Sequence, residues 1–203
     1  MDKFDFNKKK FENYVVAHSY FMKRKSISIK RLLKNCKYRG GIGLDIGCGS
    51  GEMERLIFKN FKNLIGVDPA LNQIKKATAK KIPNCKFLVG DSITNNFPSK
   101  FFDLVIIVNV LHHINNKSNQ INLIKNCHRI LKDNGTMLIY EHNPLNPLVW
   151  LKFYYYSKVD QGCTMIDPFT IKKTNKRLGF SKNKLSFLFS EGFGEYVLIS
   201  KKL

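Results

Sequence analysis

The chain has 203 residues, a length that suits one domain with a sizeable buried core. No apolar run is long enough to cross a bilayer, and residues 1–10 lack the apolar stretch of a secretion signal, so a cytoplasmic protein is predicted. The five cysteines are odd in number and widely spaced, and no Cys-x-x-Cys occurs, which argues against a disulfide framework and against a zinc site.

The formal net charge of +20 is unusually high and unevenly spread. Residues 1–40 contain 12 Lys and Arg against 3 acids, and residues 143–203 contain 10 against 4, whereas residues 41–142 contain 13 against 8. One explanation is a general enrichment in lysine. The other is a basic surface for an anionic partner, which would be a phosphate-bearing substrate, a membrane surface or a nucleic acid.

Residues 8–39 predict one or two amphipathic helices, with a break near Ser26. Apolar residues recur at spacings of three and four, namely Phe11, Tyr14, Val15, His18, Phe21 and Met22. The pattern favours a helix that packs on the edge of the domain. The alternative is a flap over a ligand cleft or a helix on lipid headgroups, in which case Tyr14 and His18 would contact the substrate.

Residues 42–51 predict a short buried strand, a glycine turn and the start of a helix. Ile42, Leu44 and Ile46 alternate as in a strand, and three glycines follow directly: Gly47, Gly49 and Gly51. Glycine lets the backbone approach a ligand closely, and a helix N-terminus offers free N–H groups. A glycine turn is common in proteins, so this motif alone is compatible with a purely structural turn.

Four further strands are predicted at residues 63–69, 85–91, 101–111 and 137–140, with a helix at 118–131. The apolar run 101–111 is typical of a central parallel strand that is buried on both faces. Strands that alternate with helices indicate a mostly parallel sheet, in which ligands bind beyond the carboxyl ends of the strands. Polar residues stand at those ends: Asp68, Asp91, Asn109, His112, His113, Glu141 and His142.

These motifs resemble the class I S-adenosylmethionine-dependent methyltransferases, and among them the small-molecule group. The matching segments are Leu44-Asp45-Ile46-Gly47-Cys48-Gly49-Ser50-Gly51, Gly66-Val67-Asp68, Gly90-Asp91-Ser92, Phe102-Asp103-Leu104-Val105 and Leu111-His112-His113-Ile114. The resemblance covers residues 40–142. The glycine spacing differs by one residue from the dehydrogenase fingerprint, so hydride transfer to a nicotinamide is only a minor alternative.

The resemblance implies an α/β Rossmann-like fold. Its seven-stranded, mostly parallel sheet has the order 3-2-1-4-5-7-6, with the last strand antiparallel and helices on both faces. Residues 184–190 and 196–201 fit the last two strands. The chain is thus predicted as a single domain of residues 1–203, with a helical flap (1–39), a cofactor-binding core (40–142), a substrate-side insertion with a helix (143–179) and a C-terminal strand pair (180–203).

The resemblance also implies the cofactor, S-adenosyl-L-methionine, and residues that hold it. The methionine end would lie against Asp45 and the glycine loop, and Asp68 would bind the ribose hydroxyls. Asp91 would accept a hydrogen bond from the adenine amine. The remaining implied cofactor contacts are Gly47, Cys48, Gly49 and Gly51 in the loop, Pro69, Ser92 and Ile93 around the adenine, and Asn109 beside the methionine.

Methyl transfer to an oxygen atom of high pKa requires a base as well as close approach. His113 and His142 are the predicted catalytic residues, because they end neighbouring strands and would face one pocket. His112 and Glu141 are predicted on the substrate side, although one of the two adjacent histidines could merely pack against the following helix. No metal site is predicted, since His112 and His113 lack partners at ligand spacing.

Residues 143–166 depart from the core pattern. Two Asn-Pro pairs force turns, and residues 148–156 form an aromatic run that includes Trp150. The run predicts either a lid helix or an apolar substrate channel that contacts a membrane interface, where Trp and Tyr prefer to lie. A helix is predicted from Asp167 to Leu178, with Gly179 as its end.

The sequence thus predicts a methyltransferase that acts on a small or lipid-linked acceptor, at oxygen, with peripheral membrane contact through its basic and aromatic flanks. One alternative is a nucleic-acid methyltransferase, which the charge suits. No Asn-Pro-Pro-Tyr motif follows the fourth strand, however, and no separate RNA-binding module is visible. The other alternative is a partner subunit that binds S-adenosylmethionine without chemistry.

Overall fold

The computed structural model describes the backbone of residues 8–36, 38, 40–91, 95–156, 163–188 and 194–203. Side chains are described in the same ranges except at residues 8–19, 21 and 152–156. Tyr14 and His18, which the sequence predicts as substrate contacts, therefore lie outside the described side chains. Ser92 and Ile93, predicted beside the adenine, also lie outside the described residues.

A single seven-stranded sheet forms the centre of the fold, in the order β3-β2-β1-β4-β5-β7-β6. The pairs β1–β2, β2–β3, β1–β4 and β4–β5 are parallel, and β7 runs antiparallel to β5 and β6. The predicted fold class and strand order are confirmed. The strands are β1 Ile42–Ile46, β2 Asn63–Asp68, β3 Cys85–Val89, β4 Phe102–Val108, β5 Leu131–His142, β6 Phe180–Leu188 and β7 Glu195–Lys202.

Helices cover both faces of the sheet and bury an apolar cluster on each. One cluster joins Ile29 and Leu33 to Met53 and Ile57 and to alternate residues of the central strands. The other includes Leu123, Ile124 and Ile171, and it packs on the opposite face of the same strands. The helices are α1 Lys8–Asn35, α2 Glu52–Ile57, α3 Leu71–Ala79, α4 Lys117–Ile130, α5 Pro147–Tyr156 and α6 Pro168–Leu178.

Two predicted boundaries differ from the structure for local reasons. The predicted break near Ser26 is wrong: α1 continues for 28 residues, and the buried Ser26 hydroxyl is satisfied inside the helix by donating to the Lys23 carbonyl (2.7 Å). β5 begins at Leu131, before the predicted residue 137, where Phe102 and Leu131 pair ahead of a register shift. By contrast, α6 begins and ends as predicted, with Asp167 as N-cap and Gly179 in the left-handed conformation.

Within the described residues, no helix combines the length and the apolar character that crossing a bilayer requires.

Candidate functional site

The turn after β1 depends on glycine. Gly47, Gly49 and Gly51 all have left-handed φ angles, between 53° and 77°, which other residues rarely adopt. A Cβ atom at Gly47 would also lie only 2.3 Å from Cγ2 of Val110, which follows β4. The turn therefore brings the main chain directly against the carboxyl end of the neighbouring strand.

Asp68, at the end of β2, fixes the same turn. Its Oδ2 atom accepts from the Gly49 amide (3.0 Å), and its Oδ1 atom accepts from the Ala70 amide (2.9 Å). The amides of Gly47 and Cys48 both donate to the Val67 carbonyl (2.8 and 3.1 Å). The glycine turn is thus held to β2 by three hydrogen bonds, and Asp68 stands at its rim, only partly buried.

The Cys48 side chain packs against Gly66, a residue of β2 that has no side chain. A Cβ atom at Gly66 would lie 2.9 Å from the Cys48 Sγ atom and 2.8 Å from Cδ1 of Phe87. Burial raises the pKa of the Cys48 thiol far above its ordinary value, with the nearby acids adding to the effect. The thiol is therefore neutral and unreactive, and all five cysteines are free.

A pair of buried carboxyl groups lies beneath the turn. Asp45, in β1, and Glu54, in α2, are both buried. Burial raises the pKa of Asp45, and the adjacent Glu54 raises it further, while burial raises the pKa of Glu54 to about 7. No described donor group satisfies either carboxylate oxygen of Glu54. Two carboxyl groups buried side by side favour their protonated forms, and they form a site that a cation would stabilise.

A second polar cluster joins α1 to the carboxyl ends of β4 and β5. Lys25 Nζ lies 2.7 Å from Glu195 Oε1 and 5.2 Å from the centre of the Tyr140 ring. The Asn109 amide is best satisfied with its oxygen toward Lys25 Nζ (2.6 Å) and its nitrogen toward the Tyr140 carbonyl (3.3 Å). Since His142 pairs with Glu195 across β5 and β7, these residues share one end of the sheet.

His112 and Glu141 form a buried hydrogen-bonded pair. The carboxylate Oε1 atom lies 2.7 Å from His112 Nδ1 and also accepts from the His142 amide (2.9 Å), while Oε2 accepts from the Leu111 amide (2.9 Å). Burial would raise the pKa of Glu141, but the hydrogen bond from His112 and its charge, followed by the contributions of His142, hold that pKa below its ordinary value. An ionised Glu141 places the His112 proton on Nδ1.

The other two histidines lie on either side of His112. The ring centres of His112 and His113 are 4.0 Å apart, and those of His112 and His142 are 4.9 Å apart. His113 is exposed, and its Nδ1 atom lies 3.8 Å from Cys163 Sγ. Burial lowers the pKa of His142 to about 4, so its ring is neutral at physiological pH. Both rings therefore pack against His112, and the prediction that His113 and His142 face one pocket stays a prediction.

Two groups of donor atoms in this cluster are close enough to hold a metal ion. Within the described part of the chain, the donors of His112, Glu141 and His142 lie within 4.8 Å of one another, as do those of His112, His113 and Cys163. Glu141 already accepts hydrogen bonds from a side chain and two backbone amides. This pattern is typical of a carboxylate that orients a histidine.

An open cavity of about 380 Å³ adjoins this end of the sheet. It lies between the start of α5 and the end of β6, and Glu195 forms part of its wall. A larger cavity, of about 520 Å³, lies at the opposite ends of the strands, near Gly40 and Lys59, and none of the predicted site residues that the structure describes lines it. The smaller cavity is lined by Asn143, Leu145, Asn146, Pro147, Phe187, Leu188 and Glu195.

The remaining predicted residues occupy the expected positions in the chain. Pro69 follows β2, and Asp91 follows β3, where its carbonyl accepts from the Asn95 amide (3.1 Å). Trp150 lies on α5 with its side chain 53% exposed, and its indole N–H donates to the Pro144 carbonyl.

Three residues of these clusters were not predicted: Lys25, Glu54 and Glu195. Lys25 precedes Ile29 and Leu33 at intervals of four, so the helical period places it on the buried face of α1. Glu54 similarly belongs to the buried face of α2 with Met53 and Ile57. A charged residue in phase with apolar neighbours is the signal that could have identified both. Glu195 stands at the start of a strand and gives no such signal.

A family model described as a methyltransferase domain matches residues 18–185. The 2-methyl-6-phytyl-1,4-hydroquinone methyltransferase of Synechocystis is 31% identical over 103 residues, which are 49% of this chain and 31% of that protein. The Bos taurus protein named Probable tRNA methyltransferase 9B is 29% identical over 101 residues, 50% of this chain and 21% of that protein. The chain spans about half the length, or less, of these curated relatives.

Among solved structures, a protein from Archaeoglobus fulgidus described as a SAM dependent methyltransferase has a similar fold. Its TM-score is 0.72 at 24% sequence identity, over 87% of this chain and 94% of that one.

Proposed function

This chain belongs to the class I S-adenosylmethionine-dependent methyltransferases, and on that premise we propose that it transfers a methyl group from S-adenosylmethionine to a small or lipid-linked acceptor, at an oxygen atom. The observation that carries the choice of acceptor is the largely apolar cavity beside Glu195. A pocket whose wall joins leucine, proline and phenylalanine side chains to two asparagines and an acid, Glu195, suits an apolar ligand better than a negatively charged polynucleotide.

The cofactor would lie across the carboxyl ends of β1, β2 and β3. Its methionine end would approach the turn formed by Gly47, Cys48, Gly49 and Gly51, where the Asp45–Glu54 pair offers negative charge to its ammonium group. Asp68 would accept from the ribose hydroxyls at the rim of the turn. The adenine would extend toward Pro69 and Asp91, with Ser92 and Ile93 as further contacts, and Asn109 would lie beside the methionine.

The sulfonium of the cofactor supplies an activated methyl group, so the protein has to align the acceptor and remove its proton. We assign the base to His113, whose ring is exposed to solvent beyond the carboxyl end of β4. His142 would accept a hydrogen bond as a neutral ring. Glu141 acts through His112, whose ring it orients against His113.

A nucleic-acid acceptor is the second candidate, and two observations favour it. The net charge is +20, and one relative carries a tRNA methyltransferase name. Transfer of labelled methyl from S-adenosylmethionine into a cell extract separates the two candidates, when the extract is split into small-molecule, lipid, RNA and protein fractions. Label in the RNA fraction would overturn the proposed acceptor, and label in the small-molecule or lipid fraction would support it.

Replacing Asp68 with alanine is expected to weaken binding of S-adenosylhomocysteine about tenfold or more. The change removes the proposed ribose contacts and also frees the Gly49 amide from its tether. Isothermal titration calorimetry measures the affinity. Asp133→Ala is the matched control, because Asp133 is an exposed carboxylate paired with Lys100. Equal affinities of the Asp68→Ala and wild-type proteins would exclude the ribose assignment.

Chelation is expected to leave methyl transfer unchanged. The hydrogen bonds that Glu141 accepts already account for its position, so the histidine cluster needs no bound ion in this mechanism. Initial rates before and after dialysis against EDTA test this expectation, with metal content measured by mass spectrometry. A rate that falls on dialysis and recovers on adding one divalent metal would instead make His112, Glu141 and His142 ligands.

A further inference from the structure

Lys25 is a buried lysine at the edge of the sheet where β4 and β5 end and β7 begins. Only 7% of the residue is exposed, and it lies on the same face of α1 as Ile29 and Leu33, which follow at intervals of four. Lysine is almost never buried to this extent unless its ammonium group is paired. The contacts of that group therefore indicate what the residue does.

The ammonium group of Lys25 meets a side chain from each of three strands or strand ends. Its Nζ atom lies 2.7 Å from Oε1 of Glu195, the first residue of β7. It also lies 2.6 Å from the side-chain oxygen of Asn109, which follows β4, and 5.2 Å from the ring centre of Tyr140 in β5. The ring is within cation–π range. One side chain thus ties α1 to all three strands.

Stability alone does not account for this ion pair. A buried pair of charges often contributes no more to stability than two apolar side chains of similar volume, whereas loss of one partner is strongly destabilising. Two apolar residues in place of Lys25 and Glu195 would therefore hold α1 on the sheet about as well. They would not, however, orient the polar side chain of Asn109.

The orientation of the Asn109 amide depends on Lys25. An ammonium group can only donate, so the side-chain oxygen of Asn109 faces it, and the side-chain nitrogen then donates to the Tyr140 carbonyl (3.3 Å). The backbone N–H of Asn109 donates to the same carbonyl (2.8 Å), and its φ angle of 54° lies in the left-handed region. Lys25 therefore helps to fix a turn that few residue types adopt.

This turn packs directly against the glycine turn after β1. The residue that follows Asn109 is Val110, and a Cβ atom at Gly47 would lie only 2.3 Å from its Cγ2 atom. A displacement of Asn109 would therefore move Val110 relative to Gly47. The glycine turn is where the methionine end of S-adenosylmethionine is proposed to lie, so the contacts lead from Lys25 to the cofactor.

We propose that Lys25 is a positioning residue for the cofactor. From α1, it fixes the Asn109 side chain and thereby the end of β4 against the glycine turn. The proposal deepens the proposed function and rests on it for the place of the cofactor. Lys25 acts through Asn109 and contributes no group to the methyl transfer itself.

The test uses Lys25→Met and the double variant Lys25→Met, Glu195→Met. Lys25→Met should weaken binding of S-adenosylhomocysteine about tenfold in calorimetry, because the Asn109 oxygen loses a charged donor. It should also lower the melting temperature, since the buried Glu195 carboxylate is left unpaired. In the double variant, an apolar pair replaces the ion pair. The melting temperature should recover, whereas the affinity should stay about tenfold weaker.

Lys202→Met is the matched control. Lys202 is also 7% exposed, and its Nζ atom donates to the His128 and Leu131 carbonyls at the opposite edge of the sheet. Its replacement should lower the melting temperature but leave the affinity for S-adenosylhomocysteine within about twofold of wild type, because the site is distant. Loss of a buried lysine is thereby separated from loss of the contact with Asn109.

Asn109→Gly tests whether Lys25 acts through Asn109. Glycine adopts the left-handed conformation easily but has no amide for Lys25 to orient. In this background, Lys25→Met should change the affinity by less than about twofold, as a double-mutant cycle measures. The same loss of affinity in both backgrounds would overturn the route through Asn109. Recovery of affinity together with the melting temperature in the double variant at 25 and 195 would overturn the positioning role itself.

The affinity for S-adenosylhomocysteine does not depend on the acceptor, so this proposal and the proposed function fail separately. Methyl label in the RNA fraction would overturn the small or lipid-linked acceptor and leave the role of Lys25 intact. Recovered affinity in the double variant would overturn the role of Lys25 and leave the acceptor intact.

Discussion

Replacing His113 with alanine is expected to lower kcat/KM about 100-fold or more while S-adenosylhomocysteine still binds with nearly wild-type affinity. A positioned general base contributes about 10²- to 10⁴-fold to a proton transfer, and His113 is the exposed histidine of the cluster at the ends of β4 and β5. Steady-state kinetics with the labelled acceptor fraction measures the loss, and calorimetry measures cofactor affinity.

The pH dependence of kcat/KM distinguishes His113 from His142. Because burial lowers the pKa of His142 to about 4, a rate that declines only near pH 4 would assign the base to His142. His142→Ala should then have the larger effect of the two. His128→Ala is the control, since His128 packs against Phe180 on β6, away from the cluster. Wild-type kinetics in His113→Ala would remove His113 from the mechanism.

The affinity for S-adenosylhomocysteine is expected to rise steeply with pH through the neutral range. In the free protein, burial raises the pKa of Glu54 to about 7, so below that pH the buried Glu54 carboxyl group carries a proton. Binding of the ligand ammonium would displace this proton. If binding returns the pKa of Glu54 to its ordinary range, affinity should change roughly thirtyfold between pH 5.5 and 8.

Glu54→Gln isolates this effect, because glutamine has similar size and does not titrate. The variant should show a much flatter pH dependence, and the remaining slope belongs to the ligand and to other groups. Calorimetry in buffers of different ionisation enthalpy should detect proton release by the wild type near pH 6 and less release by the variant. If the affinities of the two proteins changed with pH in the same way, Glu54 would not be the group whose titration controls cofactor binding.

In the absence of ligand, the Asp45–Glu54 pair gives the free energy of unfolding a pH dependence opposite to that of the ligand affinity. The folded-state pKa of Glu54 lies above its ordinary value, so the folded chain binds more protons than the unfolded chain between the two values. The free energy of unfolding therefore decreases as pH rises from about 4.5 to 7, and the cofactor should restore stability where the free protein loses it.

The core of the fold was predictable because its signals are local. The alternation of Ile42, Leu44 and Ile46 identifies β1, the run ending at Val108 identifies a strand buried on both faces, and Asp167 and Gly179 bound α6. Polar residues at consecutive strand ends predict the place of the candidate site, since parallel strands all end at the same edge. The strand order was predicted from the family resemblance. The spacing of residues along the chain gives no sign that β7 lies between β5 and β6 in the sheet.

The pairings within the site were not predictable in the same way. The Lys25–Glu195 contact joins residues 170 positions apart, and the sequence gives no sign of which acid the lysine meets. The orientation of the histidines was also not predictable from the sequence. His112 turns inward to Glu141, while the adjacent His113 is exposed. A short helical turn at Leu111–His113 determines which ring is buried, and two identical neighbouring residues do not encode it.

The contact between Gly66, Cys48 and Phe87 bears on how this protein and its relatives diverge. Any side chain at position 66 would collide with both neighbours, and both are side chains rather than backbone. A lineage that acquires alanine at 66 should therefore also change at both 48 and 87, since relief of one contact leaves the other, and the three positions should covary across an alignment. Amino-acid changes in the glycine turn among relatives would then reflect compensation for changes in the packing beneath the turn, as well as selection for cofactor binding.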